Sequence, residues 1–329
     1  MSRGLAVSAG RLWDVRRGLA RFAARNAVSV MRLNGTDLAG LTVLITGGSS
    51  GIGYATAHRL LRNGATVIIV ARGADDLERA RIELSTCGEV HARMWDITDD
   101  DDVRAVMDEV FASIGPVDVL VNNAGRSIRR SAINSADRLH DYRRTMDVNY
   151  HGAVACTLAV LPQMVERGGG RIVNVSSIAT EVFGPRFSAY TASKAAMDAF
   201  GEVLAGEVAA CGVTVTSVKM PLTRTPMIEP TGAYRETSAI SPEYAAVLVE
   251  RAIRYGRPRV STAVGRLGAV TAAIAPGSMT LWRQADYLAV PESRAALLGS
   301  TRRGLERDEL LDADSSLRDC STSQRGPCR

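Results

Sequence analysis

Lysine is almost missing from this sequence. Of the 40 basic residues in its 329 positions, two are lysines, Lys194 and Lys219, and the rest are arginines. Positive surface charge is therefore supplied as arginine, and a lysine kept inside a motif is not a generic surface cation. No uninterrupted apolar run approaches the roughly 18 residues that cross a bilayer, which argues against a transmembrane helix. The 5 cysteines (Cys87, Cys156, Cys211, Cys320 and Cys328) follow no regular spacing. They form neither a metal-ligand pattern nor a disulfide framework, so a reducing cytoplasm is expected and no metal. Repeats at solenoid spacing are absent as well.

The net charge of +5 is unevenly placed. Residues 1–40 hold arginines at 3, 11, 16, 17, 21, 25 and 32 against Asp14 and Asp37, which leaves the remainder formally neutral. A nucleic-acid partner has no overall electrostatic support. Within that basic extension Leu12, Val15, Leu19 and Phe22 recur at helical spacing, with arginines around them. The readings are a peripheral membrane contact, with Trp13 and Phe22 in the lipid interface, a helix packed on the body of the protein, or a frayed extension. Arg16-Arg17 is reminiscent of a twin-arginine export signal, but Arg21 and Arg25 interrupt the apolar region it needs. A mitochondrial presequence is a further reading for a eukaryotic source.

From Leu41 onward, short β-branched runs alternate with helical stretches. Strands are predicted at 42–46, 66–70, 90–94, 117–121, 171–175 and 213–218. Helices are predicted near 51–63, 75–86, 100–114, 137–167 and 188–211. Strand–helix alternation implies βαβ units and a parallel sheet, and six strands imply a doubly wound α/β fold of the nucleotide-binding type. The expected organisation is the extension 1–40, the α/β domain 41–260, an apolar segment 261–299 and a polar, disordered tail 300–329.

Thr46-Gly47-Gly48-Ser49-Ser50-Gly51-Ile52-Gly53 follows the first strand and opens a helix. Glycines allow a sharp turn and close approach to a pyrophosphate, and the helix N-terminus offers unpaired N–H groups. About twenty residues on, an acid would bind the ribose 2′-hydroxyl of NADH. The chain instead has Val70-Ala71-Arg72. A guanidinium, with permanent charge and paired donors, suits a 2′-phosphate, so NADPH is expected ahead of NADH. Asp75 and Asp76 begin the next helix, where acids suit the dipole.

Tyr190-Thr-Ala-Ser-Lys194 opens a later helix, and its spacing puts the phenol and the ammonium one turn apart on one face. An ammonium there lowers the phenol pKa and makes it a usable acid near neutrality. Ser177 ends Val173-Asn-Val-Ser-Ser177 at the C-terminal edge of a strand, where ligands bind in open α/β sheets. Asn122-Asn123-Ala124-Gly125 ends the preceding strand, and Asn149 lies in the long helix that follows. All four motifs converge on one crevice.

Residues 41–230 resemble the short-chain dehydrogenase/reductase superfamily, in the motifs T-G-x-x-x-G-I-G, N-N-A-G, N-x-S-S and Y-x-x-x-K and in their order. The resemblance implies an NAD(P)-dependent oxidoreductase with Tyr190 as proton donor and Ser177 binding the substrate carbonyl. Lys194 would tune the tyrosine and hold the ribose, and Asn149 would position a relay water. It places Asp96 and Ile97 beside adenine, Asn123, Ala124 and Gly125 as the strand-capping loop, and Pro221 and Thr225 against the cofactor. Gly47, Ser49, Ser50, Gly51, Ile52, Gly53 and Arg72 complete that set. Members of the superfamily are often dimers or tetramers, so a homo-oligomer is expected.

A narrower resemblance is to bacterial fatty acyl-CoA reductases of this superfamily. It rests on Asn122-Asn-Ala-Gly-Arg-Ser-Ile-Arg-Arg130, Phe187-Ser-Ala-Tyr-Thr-Ala-Ser-Lys194 and Met220-Pro-Leu-Thr-Arg-Thr-Pro-Met-Ile-Glu-Pro230. Pro221-Leu222 stands where the wider superfamily has Pro-Gly, and the usual glycine-rich ending is absent. The implied reaction reduces a long-chain acyl-CoA to an aldehyde. Arg126, Arg129 and Arg130 would meet CoA phosphates, or else form a solvated turn balanced by Asp137 and Asp141. The apolar stretch Leu267 to Trp282 either covers an acyl chain, touches a membrane or forms a packed helix pair. Cys156, in an apolar helix, reads as core rather than as an acyl carrier. The competing functions are a carbonyl reductase or alcohol dehydrogenase, acting on a ketone, a steroid or a 3-oxoacyl thioester, and a nucleotide-binding scaffold or redox sensor without turnover.

Overall fold

A computed structural model describes residues 35–229, 231, 234, 237–290 and 292. The amphipathic N-terminal reading and the C-terminal tail fall almost wholly outside these residues. Among them, no helix is long and apolar enough to cross a membrane.

Seven strands form one parallel sheet in the order β3-β2-β1-β4-β5-β6-β7. They are β1 (Thr42–Thr46), β2 (Thr66–Ala71), β3 (Val90–Met94), β4 (Val119–Asn122), β5 (Gly170–Ser177), β6 (Val213–Met220) and β7 (Arg259–Ser261). Alternate residues feed two cores. Val43, Ile45, Val67 and Ile69 face one layer, and Leu44, Ile68 and Val70 face the other. Continuous Val/Ile runs of this kind belong to a sheet covered on both faces.

The first layer is α1 (Gly51–Leu61), α2 (Ala74–Ser85) and α8 (Pro242–Tyr255). The second layer is built from α3 (Asp100–Ser113), α5 (Gly152–Glu166) and α7 (Ser188–Val208). Asp99 caps α3 by accepting N–H groups of Asp101 and Asp102, ahead of three acids that suit the helix dipole. Strand order reverses beside β1, between β2 and β4, and opens a crevice at the strands' C-terminal ends.

Three features depart from the sequence reading. The predicted helix 137–167 is divided into α4 (Leu139–Met146), a π-helical turn (Asp147–His151) and α5. In that turn the Gly152 N–H donates to the Asp147 carbonyl, which inserts one residue and re-aims Asn149. Helix α8 was not expected, although Ser241 caps it, Pro242 begins it and Gly256 ends it in the left-handed region. Strand β7 has three residues at a sheet edge, too few for periodicity to show.

After β7 come α9 (Ala263–Ile274) and α10 (Pro276–Ala289), so the apolar segment is a helix pair. Its packing is thin: Gly265 and Met279 alone are buried, while Val264, Leu267, Ile274, Leu281 and Trp282 are exposed. One edge is anchored. Arg283 donates to the Val182 carbonyl in the short helix α6 (Ala179–Val182), and Arg186 donates to the Tyr287 carbonyl.

Candidate active site

The ends of β1 and β4 are stitched together by side chains. Thr46 Oγ1 accepts the N–H groups of Asn123 and Ala124, each at 3.0 Å. Asn123 Nδ2 returns to the carbonyls of Thr46 (2.9 Å) and Gly47 (3.1 Å). Gly53 follows directly. A Cβ there would lie 2.1 Å from the Gly47 carbonyl oxygen, closer than real Cβ atoms approach. Glycine thus lets the first turn of α1 close onto the loop, and that turn carries no acid. Thr225 packs against Gly51, at 3.1 Å from an ideal Cβ, so it borders the same loop. This cradle of closely approached backbone with a bare helix N-terminus fits a dinucleotide pyrophosphate. Ser50 lies exposed at the helix start and spends no side-chain hydrogen bond on capping.

Arg72 stands at the end of β2, its Nη1 3.6 Å from Asp96 Oδ2. Burial pushes the Asp96 carboxyl up, but hydrogen bonds from the Thr98 N–H and hydroxyl and the Arg72 charge hold it below its usual value. Asp96 stays ionised and anchors the turn after β3.

At the far side of the crevice, Ser177 Oγ accepts the Ala179 N–H at 3.1 Å and lies beside the Tyr190 phenol. Buried Lys194 donates to the Val175 carbonyl at 2.8 Å. Asn149 Oδ1 accepts the Arg126 N–H at 2.7 Å, and its Nδ2 donates to the Arg126 carbonyl (2.9 Å) and Ser193 Oγ (2.8 Å). Gly125 fits between them; an added Cβ would lie 3.3 Å from Asn149 Oδ1 and 3.5 Å from Lys194 Nζ. Asn149, Ser177, Tyr190 and Lys194 therefore meet in one place. The Asn149 side chain clamps the loop after β4 to α7, a task its motif did not disclose.

The expected lowering of the phenol is not what this arrangement gives. Enclosure raises the Tyr190 pKa, the Ser177 hydrogen bond opposes that rise, and the Asp198 charge adds to it. Burial pushes the Lys194 ammonium down to about 8, with Asp198 opposing. Desolvation outweighs the neighbouring-charge effect in both groups. The phenol holds its proton as a donor should, beside a lysine that exchanges one near neutrality.

Of the three arginines expected at one basic mouth, each meets different surroundings. Arg130 lies buried against Asp141 at 3.5 Å, a carboxylate shared with Arg138 and Arg144. Arg126 shares its surroundings with Arg72 and Arg144, and Arg129 with Tyr234 and Arg186. The three cations are dispersed: Asp141 draws Arg130 and is felt by Arg126, while Arg129 faces other neighbours.

Sequence reasoning missed two further aromatic neighbours. Phe187 lies edge-on to Tyr190 at 6.3 Å and stacks on Tyr234 at 6.4 Å, forming an apolar wall beside the phenol. Tyr234 follows β6 in a segment rich in turn residues and gave no periodic signal. Glu292 accepts the Ser131 N–H at 2.7 Å and ties the chain beyond α10 to the arginine loop. Cys156 is fully buried and its thiol is pushed up to about 12 by burial, which rules out a ready thiolate and agrees with a core role.

Residues 41–236 match the family model described as short chain dehydrogenase. A protein of Acinetobacter baylyi named fatty acyl-CoA reductase is 44% identical over 262 residues, covering 79% of this chain and 89% of that one. A Mycobacterium tuberculosis protein of the same name is 38% identical, covering 71% of this chain and 82% of its own. Among solved structures, a 3-ketoacyl-(acyl-carrier-protein) reductase from Brucella melitensis complexed with NADH superposes with TM-score 0.64 and 26% identity. It covers 68% of this chain and 97% of its own.

Proposed function

We propose a reaction for this chain, which belongs to the short-chain dehydrogenase family and is an NAD(P)-dependent oxidoreductase. The reaction is NADPH-dependent reduction of a long-chain fatty acyl-CoA to the fatty aldehyde and free CoA. One observation carries it: Ser177, Tyr190, Lys194 and Asn149 gather at the C-terminal end of the sheet, in a chain similar to two proteins named fatty acyl-CoA reductase. The loop from Gly47 to Gly53, with Arg72 at the ribose, would hold NADPH, which would supply a hydride to the thioester carbonyl carbon. Ser177 and Tyr190 stabilise the oxygen as it gains negative charge, and Tyr190 gives it a proton. The carbon–sulfur bond then breaks, and CoA leaves as the thiol. Lys194, ionised for part of the time near neutrality, replenishes the tyrosine proton, and Asn149 keeps the loop at Arg126 in place.

Arg72 supports NADPH over NADH, since it directly follows β2, where the adenosine ribose is expected and where NADH enzymes carry an acid. Replacing it with Glu should raise the KM for NADPH roughly 10- to 100-fold, the loss of one charge-assisted hydrogen bond, while NADH is affected far less. Steady-state kinetics with both cofactors tests this; an unchanged preference would remove Arg72 from the role.

Initial rates on palmitoyl-CoA, octanoyl-CoA, a 3-oxoacyl thioester and a simple ketone test the substrate class. Saturated acyl-CoA should be preferred. Preference for the 3-oxo carbonyl with the thioester left intact would favour the carbonyl-reductase reading instead, as the Brucella neighbour's name suggests.

A further inference from the structure

Both lysines of the chain lie at this site, and only one belongs to the catalytic motif. Lys219 sits on β6 in register with Ser176 of β5, one residue from Ser177. A charged side chain inside a parallel sheet is costly unless it is paired. Lys219 is paired with Asp198 of α7 and donates to Thr180 Oγ1 at 2.9 Å. The Thr180 hydroxyl donates in turn to the Ser177 carbonyl at 2.9 Å. Ser176 donates to Asp198 Oδ2 at 2.9 Å, and Asp198 Oδ1 is buried without a hydrogen-bond partner. Asp198 also lies one helical turn beyond Lys194, on the same face.

We propose that Asp198 and Lys219 form a buried charge pair that positions the site, Lys219 tying down the Ser177 turn through Thr180 while Asp198 supplies the counter-charge for Lys194. The inference rests on the reading of Tyr190 and Lys194 as the proton-handling pair. Both residues act through others and touch no substrate. Asp198 explains how a lysine can be enclosed beside the phenol without losing its proton altogether. Asp198 favours the protonated form of Lys194 and of Tyr190; Lys219, paired to the same carboxylate, would offset part of that field. Around Tyr190 and Lys194, Asn149 lies across Gly125 from the ammonium, and Tyr234 is near enough to the phenol to feel its charge. Glu181 of α6, next to Thr180 in sequence, is paired with Arg259 of β7.

The signs follow directly. Reduction needs the protonated donor pair, so its rate falls as pH rises through an apparent pKa that belongs to Tyr190 and Lys194 jointly. Asp198→Asn keeps the shape, removes the negative charge, and should move this alkaline limb of kcat/KM to lower pH by about one unit. Lys219→Met leaves Asp198 uncompensated and should move it to higher pH. The double substitution should return it close to wild type. Ultraviolet difference titration of the phenol, taken against Tyr190→Phe, should shift in the same directions without turnover.

A purely structural pair would lower kcat and the melting temperature in every variant and leave the limb in place; that result would overturn the proposal. If Lys219→Met does not fold, Asp198→Asn alone decides. Failure of the underlying reading has a different signature, namely turnover retained in Tyr190→Phe.

Discussion

Tyr190→Phe is expected to lower kcat for reduction about 10²- to 10⁴-fold, the usual worth of a positioned general acid, with a smaller change in KM. The substitution removes one hydroxyl and preserves the ring. The edge-on contact with Phe187 and the burial of the helix start should persist, so the melting temperature should change little. Ser177 loses its partner, yet its hydroxyl still accepts the Ala179 N–H and keeps its orientation. Loss of turnover with retained cofactor binding, followed by NADPH fluorescence, identifies the proton donor. A variant that still turns over at near the wild-type rate would assign the proton to another group.

Gly53→Ala should be the most damaging single methyl in the molecule for cofactor binding. Its Cβ would meet the Gly47 carbonyl at 2.1 Å and Asn123 Nδ2 at 2.6 Å. Neither neighbour is a flexible chain end: one is backbone, and the other is held by two carbonyls. The first turn of α1 must move away, which opens the loop that is to hold the pyrophosphate. Overpacking of this kind costs about 1–3 kcal/mol of stability. Cofactor affinity should fall by more than the same strain elsewhere would cause, by about 100-fold or more, because contact with the phosphates depends on the loop's shape. Gly169→Ala is the control, since nothing lies within 4 Å of its Cβ direction. Equal loss of cofactor binding in both variants would mean that the close approach at Gly53 is not what shapes the site.

The sheet and the tetrad were legible for the same reason. Strands such as Val67–Val70 are buried on both faces, so composition alone marks them, and the structure places β1 and β3 at the predicted residues. Tyr190, Lys194, Ser177 and Asn149 are short-range motifs set at strand ends or helix starts, where position along the chain determines position in space. What stayed hidden depended on distant pairing. The π-helical turn carries Asn149, whose partners include the backbone groups of Arg126, 23 residues away. Asp198 looks like any polar residue on a helix until Lys219 is seen opposite it. Arg126, Arg129 and Arg130 are neighbours in sequence and read as one basic turn; Asp141, one of the two acids named to balance it, does meet Arg130, but sequence could not show that Arg129 faces elsewhere. The phenol pKa was misjudged in direction because motif spacing gives charges and omits burial.

The most direct test of this account is the stoichiometry of one reaction: purified protein, NADPH and palmitoyl-CoA, with aldehyde, free thiol and oxidised cofactor quantified together. The account predicts one aldehyde and one CoA released for each NADPH oxidised, and neither product with Tyr190→Phe. Oxidation of NADPH with ketones or 3-oxoacyl thioesters, and none with palmitoyl-CoA, would contradict the acyl-CoA assignment while leaving the family and its fold in place.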